Sequence, residues 1–439
     1  MLFKYLLSLH LFPAVSSAVV CAAGTFYGGL SHKAGLSLFA FGCVASAAVF
    51  FVSPILTLRA AGGMYGVGIR QLPARSGAPP LTVFYPLPNK SDKKMPWLPF
   101  SDLGFLRGMA RYVKLPPFLL YDMQFTTVVA EQDAKGTLYS KNDKPHQLIL
   151  FSHGLGGYGR LYSVLLMNLA SRGAIVVAVD HMDASAAFCR DETNSFRIEL
   201  DTTKKWERAD REPQLVQRVK ELQETLRRFS QTNEVFEAVC GSAKDAEVFR
   251  NKQYGVALVG HSFGGASVLA TALAEETAAH GKVSAVVGLD PWHIPLDGPL
   301  FAEPIEKGTK KYTTPTLLFH SQSWYVWPES WDFFEKLEKT VKAQTFTSAE
   351  KEKLAEATNK THTAMLESWY NQQKTAGTGH LSYTDMSVLS PVIFRKPYMT
   401  AKAKPQLIDW SNAVLKFAVL QSNPLPLPPP PPKGWPNPN

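Results

Sequence analysis

The segment VALVGHSFGGASVLA (256–270) constrains the chain more than any other. Its first four residues form an apolar run of strand length, and its last eight read as a helix of small and apolar side chains. Between them Gly260-His261-Ser262-Phe263-Gly264 matches G-x-S-x-G. In this pattern a tight strand-to-helix turn pushes a serine above the strand ends, and only glycine fits two residues to either side. Gly265 allows the helix to pack closely, and the helix turns its free amides and positive end toward Ser262, which favours developing negative charge there. A serine merely capping a glycine-rich turn is the plain alternative. The strand before it and the helix after it favour the elbow.

The flanking sequence repeats the alternation. HQLILFSH (146–153) is a short apolar run before a glycine-rich turn, YSVLLMNLASRG (162–173) has helical spacing and a terminal glycine, and AIVVAVD (174–180) is a second buried strand. REPQLVQRVKELQETLRRFSQ (211–231) is a long amphipathic helix with Leu215, Val216, Val219, Leu222 and Leu226 on or near one face. Strands follow at 255–261, 283–290 and 315–321, with a helix at 263–276. Continuous apolar strands between helices predict an α/β class with a mostly parallel central sheet covered on both faces, and the serine elbow within it points to an α/β-hydrolase fold. TSAEKEKLAEATNKTHTAMLESWYNQQ (347–373) reads as a further helix, within an insertion over about 340–378. The catalytic domain is expected at 62–421.

The ends differ in character. MLFKYLLSLHLFPAVSSAVVCAA has signal-peptide grammar, and 34–58 is free of charge and long enough for a membrane helix, so 1–61 is expected to be a signal and membrane-inserting region. Asn89-Lys90-Ser91 and Asn359-Lys360-Thr361 are glycosylation acceptors that fit secretory entry weakly. Residues 422–439 are expected to be an extended polyproline tail, because proline lacks the amide donor and fixes φ. The net charge of +9 comes with no basic run interleaved with aromatics, which argues against a nucleic-acid partner. Four cysteines are too few for a disulfide scaffold and lack metal-site spacing; a Cys189–Cys240 bridge is left open.

A hydroxyl becomes a nucleophile when a base takes its proton, and a carboxylate must orient that base. In this fold the chain order is serine, acid, histidine. His380, in the small-residue loop GTGHLSYTD, is the expected base; His280, His293 and His320 are the other histidines considered. Asp290 ends the strand after the elbow helix, where sites form in parallel sheets, and is the expected acid. Asp297 is the runner-up, Asp385 more naturally braces the histidine loop, and Asp180 precedes the serine. FSHGLGGYGR (151–160) supplies a second glycine loop, so the amides of Leu155 and Phe263 are the expected oxyanion donors, with Gly154 making room and His153 organising the loop. The loop lacks the lysine of a phosphate-cradling P-loop. Trp292 and Trp324, with His153, are candidates for a substrate pocket, although the tryptophans would equally fill the core.

LILFSHGLGGYGRLYSVLLMNLASRGAIVVAVDHMDASA (148–186), VALVGHSFGGASV (256–268), LDPWHIPL (289–296) and GHLSYTD (379–385) resemble, in order, segments of the plasma-type platelet-activating factor acetylhydrolases, also called lipoprotein-associated phospholipases. The resemblance runs from about 62 to 420. It implies the triad Ser262, Asp290 and His380, oxyanion amides at Leu155 and Phe263, and calcium-independent hydrolysis of the sn-2 ester of glycerophospholipids with acetyl, short or oxidised chains. The membrane-type N-terminus, a longer loop before His380 and the polyproline tail depart from the family pattern. MPWLPFSDLGFLRGMARYVKLPPFLLYDMQF (95–125) mixes large apolar residues with scattered Arg and Lys, as interfacial segments do, so a membrane or lipoprotein surface is the expected partner; a buried wrap around the sheet is the alternative. The other functional readings are an esterase of neutral lipids on the same fold and a non-enzymatic membrane-bound binding protein. A binding protein would be expected to show a broken triad, and none is visible.

Overall fold

The structure is a computed structural model that describes residues 12–26, 29, 31–52, 55–75, 77–190, 197–252, 255–274, 277, 282–345, 370–389 and 403–422. Nine strands form its main sheet: β1 (Gly66–Leu72), β2 (Leu81–Leu87), β3 (Glu131–Gln132), β4 (Gln147–Ser152), β5 (Ala174–Val179), β6 (Val256–His261), β7 (Val283–Leu289), β8 (Thr316–Ser321) and β9 (Tyr370–Thr375). Their spatial order is β9-β8-β7-β6-β4-β5-β2-β1-β3. All pairings are parallel except those of β2 with β1 and β5.

Both faces of the sheet are buried, which is why its strands read as unbroken apolar runs rather than alternating ones. Ile149, Phe151, Val176 and Val259 point into one core, and Leu148, Leu150, Val177 and Leu258 into the other. The helices that carry the argument are α1 (Phe12–Phe26), α2 (His32–Val52), α3 (Gly104–Tyr112), α4 (Ser163–Ala170), α5 (Arg208–Gln231), α6 (Phe263–Leu273), α7 (Gln322–Tyr325), α8 (Pro328–Thr345) and α9 (Ala403–Ser422). Phe105 of α3, Leu166 of α4 and Trp410 of α9 fill the first core; Leu222 of α5, Val268 of α6 and Phe334 of α8 fill the second.

Three expectations change. Among the described residues no helix is long and apolar enough to cross a membrane, unlike the membrane-inserting helices expected within 1–61, of which 1–11 lie outside the described residues. The uncharged run 34–58 is divided: α2 stops at Val52, and Thr57–Leu58 pairs in parallel with Thr127–Val128, with Leu58 in the core. α1 and α2 pack on each other, and Ser46 Oγ accepts a hydrogen bond from the Ala14 amide at 3.1 Å.

The helix expected over 347–373 also changes. Residues 346–369 lie outside the described residues, and 370–373 open β9, in parallel register with β8. Polar YNQQKT is legible as a strand only once its edge position is known, with Tyr370 buried and Gln372 Nε2–H donating to Phe334 O and Glu338 Oε2 of α8. The polyproline tail and Asn359-Lys360-Thr361 lie outside the described residues. Cys189 and Cys240 are both free and buried.

Candidate active site

The site sits where β6, β7 and β8 end. Ser262 follows β6 with φ 56° and ψ −119°, a conformation costly for a residue with a side chain. The glycines explain how so sharp a turn packs. A Cβ on Gly260 would lie 2.2 Å from the Gly264 carbonyl oxygen, and one on Gly264 would lie 2.0 Å from the Ser152 carbonyl oxygen. The turn is pinned on both sides: the Ser262 amide donates to Leu289 O at 2.9 Å, and the Trp292 amide donates to Ser262 O at 3.0 Å.

Asp290 leaves β7 at φ 46° and is wholly buried. Its Oδ1 accepts the Ser321 amide and its Oδ2 the Ser321 hydroxyl, each at 2.5 Å. Oδ2 also accepts His380 Nδ1–H at 3.0 Å, and the other ring nitrogen, Nε2, accepts the Ser262 hydroxyl at 3.0 Å. The order serine–imidazole–carboxylate is therefore complete, drawn from residues 118 and 90 positions apart in the chain. His380 retains 19 % side-chain exposure and Asp290 none, so the relay opens to its surroundings at the histidine and serine end. Burial lowers the basicity of the His380 imidazole and raises the Asp290 carboxyl, while the bonds from Ser321 oppose that rise. Near neutral pH both effects leave the imidazole free to accept a proton and the carboxyl charged.

His380 opens a 3-10 turn, His380–Tyr383, placed by β9 on one side and by Asp385 on the other. The Asp385 carboxylate accepts the amides of Ser163 (2.8 Å) and Val164 (2.9 Å) at the start of α4, together with Trp97 Nε1–H (2.9 Å). It braces the loop, as the sequence suggested, and it lies away from the imidazole's own bonds.

Leu155 lies in the turn after β4, and Phe263 begins α6. Among the described residues neither amide has a hydrogen-bond partner, as expected of donors kept for an anion. Gly154 lets this loop approach the elbow: a Cβ there would meet His261 Nδ1 and Ser262 Cβ at 3.1 Å. The Gly154 amide donates to Tyr162 Oη (3.0 Å), Tyr162 O–H donates to His261 Nδ1 (2.8 Å), and His261 Nε2–H donates to His380 O (2.9 Å). One chain of hydrogen bonds thus joins the oxyanion loop, the elbow and the histidine turn. Tyr162, His261 and Ser321 were not singled out from sequence, although all three adjoin the motifs that were.

A second relay lies wholly inside. The Ser152 hydroxyl donates to His181 Nε2 (2.7 Å), and His181 Nδ1–H donates to Glu221 Oε2 (2.6 Å). It copies the wiring of the first but is fully buried, and it holds the loop rather than meeting a substrate. The His181 amide donates to His153 Nε2 (3.2 Å), and Arg218, paired with Asp183, donates to His153 O (2.7 Å).

His153 and Trp292 therefore belong to the framework rather than to a pocket wall. His153 is fully buried with Nδ1–H on Gly154 O, and Trp292 packs edge-on against Phe263 at 5.5 Å. Trp324 lies against His380, ring to ring at 4.0 Å. His293 packs on Trp327 and His320 on Trp331 and Phe334, and neither bonds Ser262; His280 lies outside the described residues. Asp297 offers its backbone carbonyl to Arg208, and Asp180 accepts the Gly159 amide.

Comparison with known proteins places the chain in a family. The chain is 27 % identical to the platelet-activating factor acetylhydrolase of Canis lupus familiaris over 237 residues, which cover 51 % of this chain and 52 % of that one. It is 26 % identical to the protein of the same name from Cavia porcellus over 311 residues, 68 % of this chain and 65 % of that one. The chain thus spans about half the length of the first relative and just under two thirds of the second. The fold is similar to that of a ferulic acid esterase from Streptomyces cinnamoneus, at a TM-score of 0.54 and 16 % identity over 84 % of this chain and 95 % of that one. Residues 51–416 match the family model of platelet-activating factor acetylhydrolase, isoform II, and the chain belongs to that family.

Proposed function

We propose that this chain is a serine esterase that cleaves the sn-2 acyl ester of glycerophospholipids bearing acetyl, short or oxidised chains, platelet-activating factor among them. One observation carries the reading: Ser262 Oγ, His380 and Asp290 stand in a continuous relay with 3.0 Å at each contact of the imidazole. As Ser262 Oγ bonds to the ester carbonyl carbon, its proton passes to His380 Nε2 and the carbonyl electron pair moves onto oxygen. The Leu155 and Phe263 amides receive that oxyanion, each contributing about 3 kcal/mol to the transition state. Collapse breaks the bond to the glycerol oxygen, which takes the proton back from Nε2 and leaves as lysophospholipid. Water then repeats the sequence against the acyl-serine and releases the acid. Asp290 fixes the tautomer of His380 and balances its charge in both halves.

Every electron pair in this scheme moves between these residues and the ester, and calcium independence is part of the proposal: a chelator should leave the rate unchanged. The family match and the names of the relatives support the phospholipid substrate. We place the protein in the secretory pathway, working at a membrane or lipoprotein surface. The test is hydrolysis of a 2-acetyl phosphocholine lipid beside a triacylglycerol by wild type and Ser262→Ala. Serine-dependent turnover of the phospholipid supports the reading. Turnover of the neutral lipid alone assigns the same site to neutral esters, and turnover that survives Ser262→Ala rejects the nucleophile.

A further inference from the structure

We infer that Trp324 is a catalytic partner of His380, its indole face stabilising the imidazolium that forms whenever His380 holds the Ser262 proton. The inference rests on the esterase reading above and names a residue that reading does not use.

The geometry is specific. The Trp324 ring lies 4.0 Å from the His380 ring at 7° between planes, a face-to-face stack. Its placement is not left to apolar packing alone, because Nε1–H donates to Pro291 O at 2.9 Å, the carbonyl one residue beyond Asp290. The indole and the carboxylate are therefore both fixed by the same stretch of chain after β7, one on the face of the imidazole and one on its edge. Trp327 packs edge-on against Trp324 at 5.3 Å.

The chemistry follows from the change in charge. Neutral imidazole gains only dispersion from an indole face. Imidazolium gains in addition the attraction of a cation to the negative face of the ring, which is largest for tryptophan and grows when water is kept out. The stack therefore binds the state made during the reaction more strongly than the resting state, which is the condition for lowering a barrier.

The groups around His380 are consistent with this role. Asp290 meets Nδ1 from the end of β7, with Ser321 of β8 and His320 behind the carboxylate. Ser262 meets Nε2, and Tyr383 of the same turn packs on His261. His261 of β6 also lies against the imidazole, 4.5 Å away and tilted by 34°. A charged His261 would oppose the imidazolium. Burial holds it down to about 3, and its Nε2–H is committed to His380 O while Nδ1 accepts Tyr162, so it stays neutral. Among the described residues, Trp324 is then the one aromatic partner in parallel contact with the ring that gains a proton.

The test keeps the shape and changes the electrons. Mono-, di- and trifluorinated tryptophan placed at 324 alone in the full chain weakens the negative ring face stepwise with little change in volume. The titration of His380 is followed by NMR in histidine-labelled protein without substrate, its signal assigned by its loss in His380→Gln. Hydrolysis of p-nitrophenyl acetate is measured in parallel. The inference expects the His380 titration to move down stepwise, by about half to one pH unit in total, and kcat to fall about 3- to 10-fold with KM little changed. A titration that does not move with fluorination, or moves upward, overturns it. The esterase reading fails separately, on absence of Ser262-dependent turnover in the unmodified protein, and the substrate-free titration is read independently of that result.

Discussion

Ser321 gives Asp290 two hydrogen bonds, one from its amide and one from its hydroxyl, each 2.5 Å long. One falls on each carboxylate oxygen, so Oδ2 accepts both the Ser321 hydroxyl and His380 Nδ1–H. Donors to a carboxylate favour its charged form, whereas burial pushes the Asp290 carboxyl up to about 6. The end of β8 thus decides how much of the acid is ionised where the reaction needs it ionised. The hydroxyl can be removed without touching the amide.

Ser321→Ala should therefore raise the acid limb of activity. Activity needs Asp290 ionised, so it is lost as pH falls through the titration of the Asp290–His380 pair. Loss of a donor to the charged form raises that titration, by about one unit for one charge-assisted bond. The limb of kcat/KM against pH should move upward by about one unit, and kcat at pH 7 should fall about 2-fold as the titration reaches neutrality. A limb that stays in place would mean that Ser321 only packs against Asp290.

Tyr162→Phe should cost turnover without costing binding. The change removes the acceptor of the Gly154 amide and the donor to His261 Nδ1 in one step, with the ring and its packing on Phe151 kept. Gly154 precedes Leu155, and His261 holds the carbonyl of His380, so both donor placement and base placement loosen. An interaction felt mainly in the transition state lowers kcat with KM nearly constant. Steady-state kinetics on a soluble acetyl ester should show kcat reduced about 10-fold.

What could be read from the sequence was the part built from local grammar. β4, β5, β6, β7 and β8 are unbroken apolar runs because both sheet faces are covered, and the elbow announces itself because only glycine survives the contacts at 260 and 264. Ser262, Asp290 and His380 follow from chain order and strand ends. What escaped was set by tertiary placement. β9 is polar YNQQKT at the sheet edge and looks like the tail of a helix, and β1 and β2 lack the flanking helices that mark the other strands. Trp292 reads as a pocket residue because an aromatic side chain beside a site motif suggests contact with substrate, and His153 reads both as such a residue and as the organiser of its loop. Here they are consumed by the framework that holds the motif, through Arg218 and Phe263.

Asp385→Asn should destabilise the fold where the histidine loop meets α4. Both carboxylate oxygens accept donors: Val164 N–H on one, Ser163 N–H and Trp97 Nε1–H on the other. Asparagine keeps the volume but must aim its own N–H groups at one of those sets, leaving buried donors unpaired. The expected loss is about 2 kcal/mol in chemical denaturation. Because Asp385 N–H also donates to Leu161 O, the backbone after His380 should hold while the α4 contact is lost. Burial pushes this carboxyl up to about 7, so the charge itself matters less than the two acceptor positions. A variant as stable as wild type would show that the α4 start is satisfied from elsewhere.

The segment 95–125 divides the two expectations made for it, and the division gives a test of lipid contact. Trp97, Leu98, Phe105, Leu106 and Met109 are buried in the first core, as a wrap around the sheet requires. Beyond α3 the same segment leaves Val113, Leu115, Phe118 and Leu119 exposed, Phe118 at 57 %. Four large apolar side chains within seven positions, beside Arg111 and Lys114, match the composition of interfacial segments. Replacing Val113, Leu115 and Phe118 together by Ser removes exposed apolar surface without opening the core, so the folded protein and its turnover of a water-soluble acetyl ester should be preserved. Activity on the same headgroup presented in phosphatidylcholine vesicles should drop about 10-fold or more, with less protein sedimenting alongside the vesicles. Equal loss on both substrates would place these residues in the folding of the domain, and no loss on vesicles would remove this face from the route by which a lipid ester reaches Ser262.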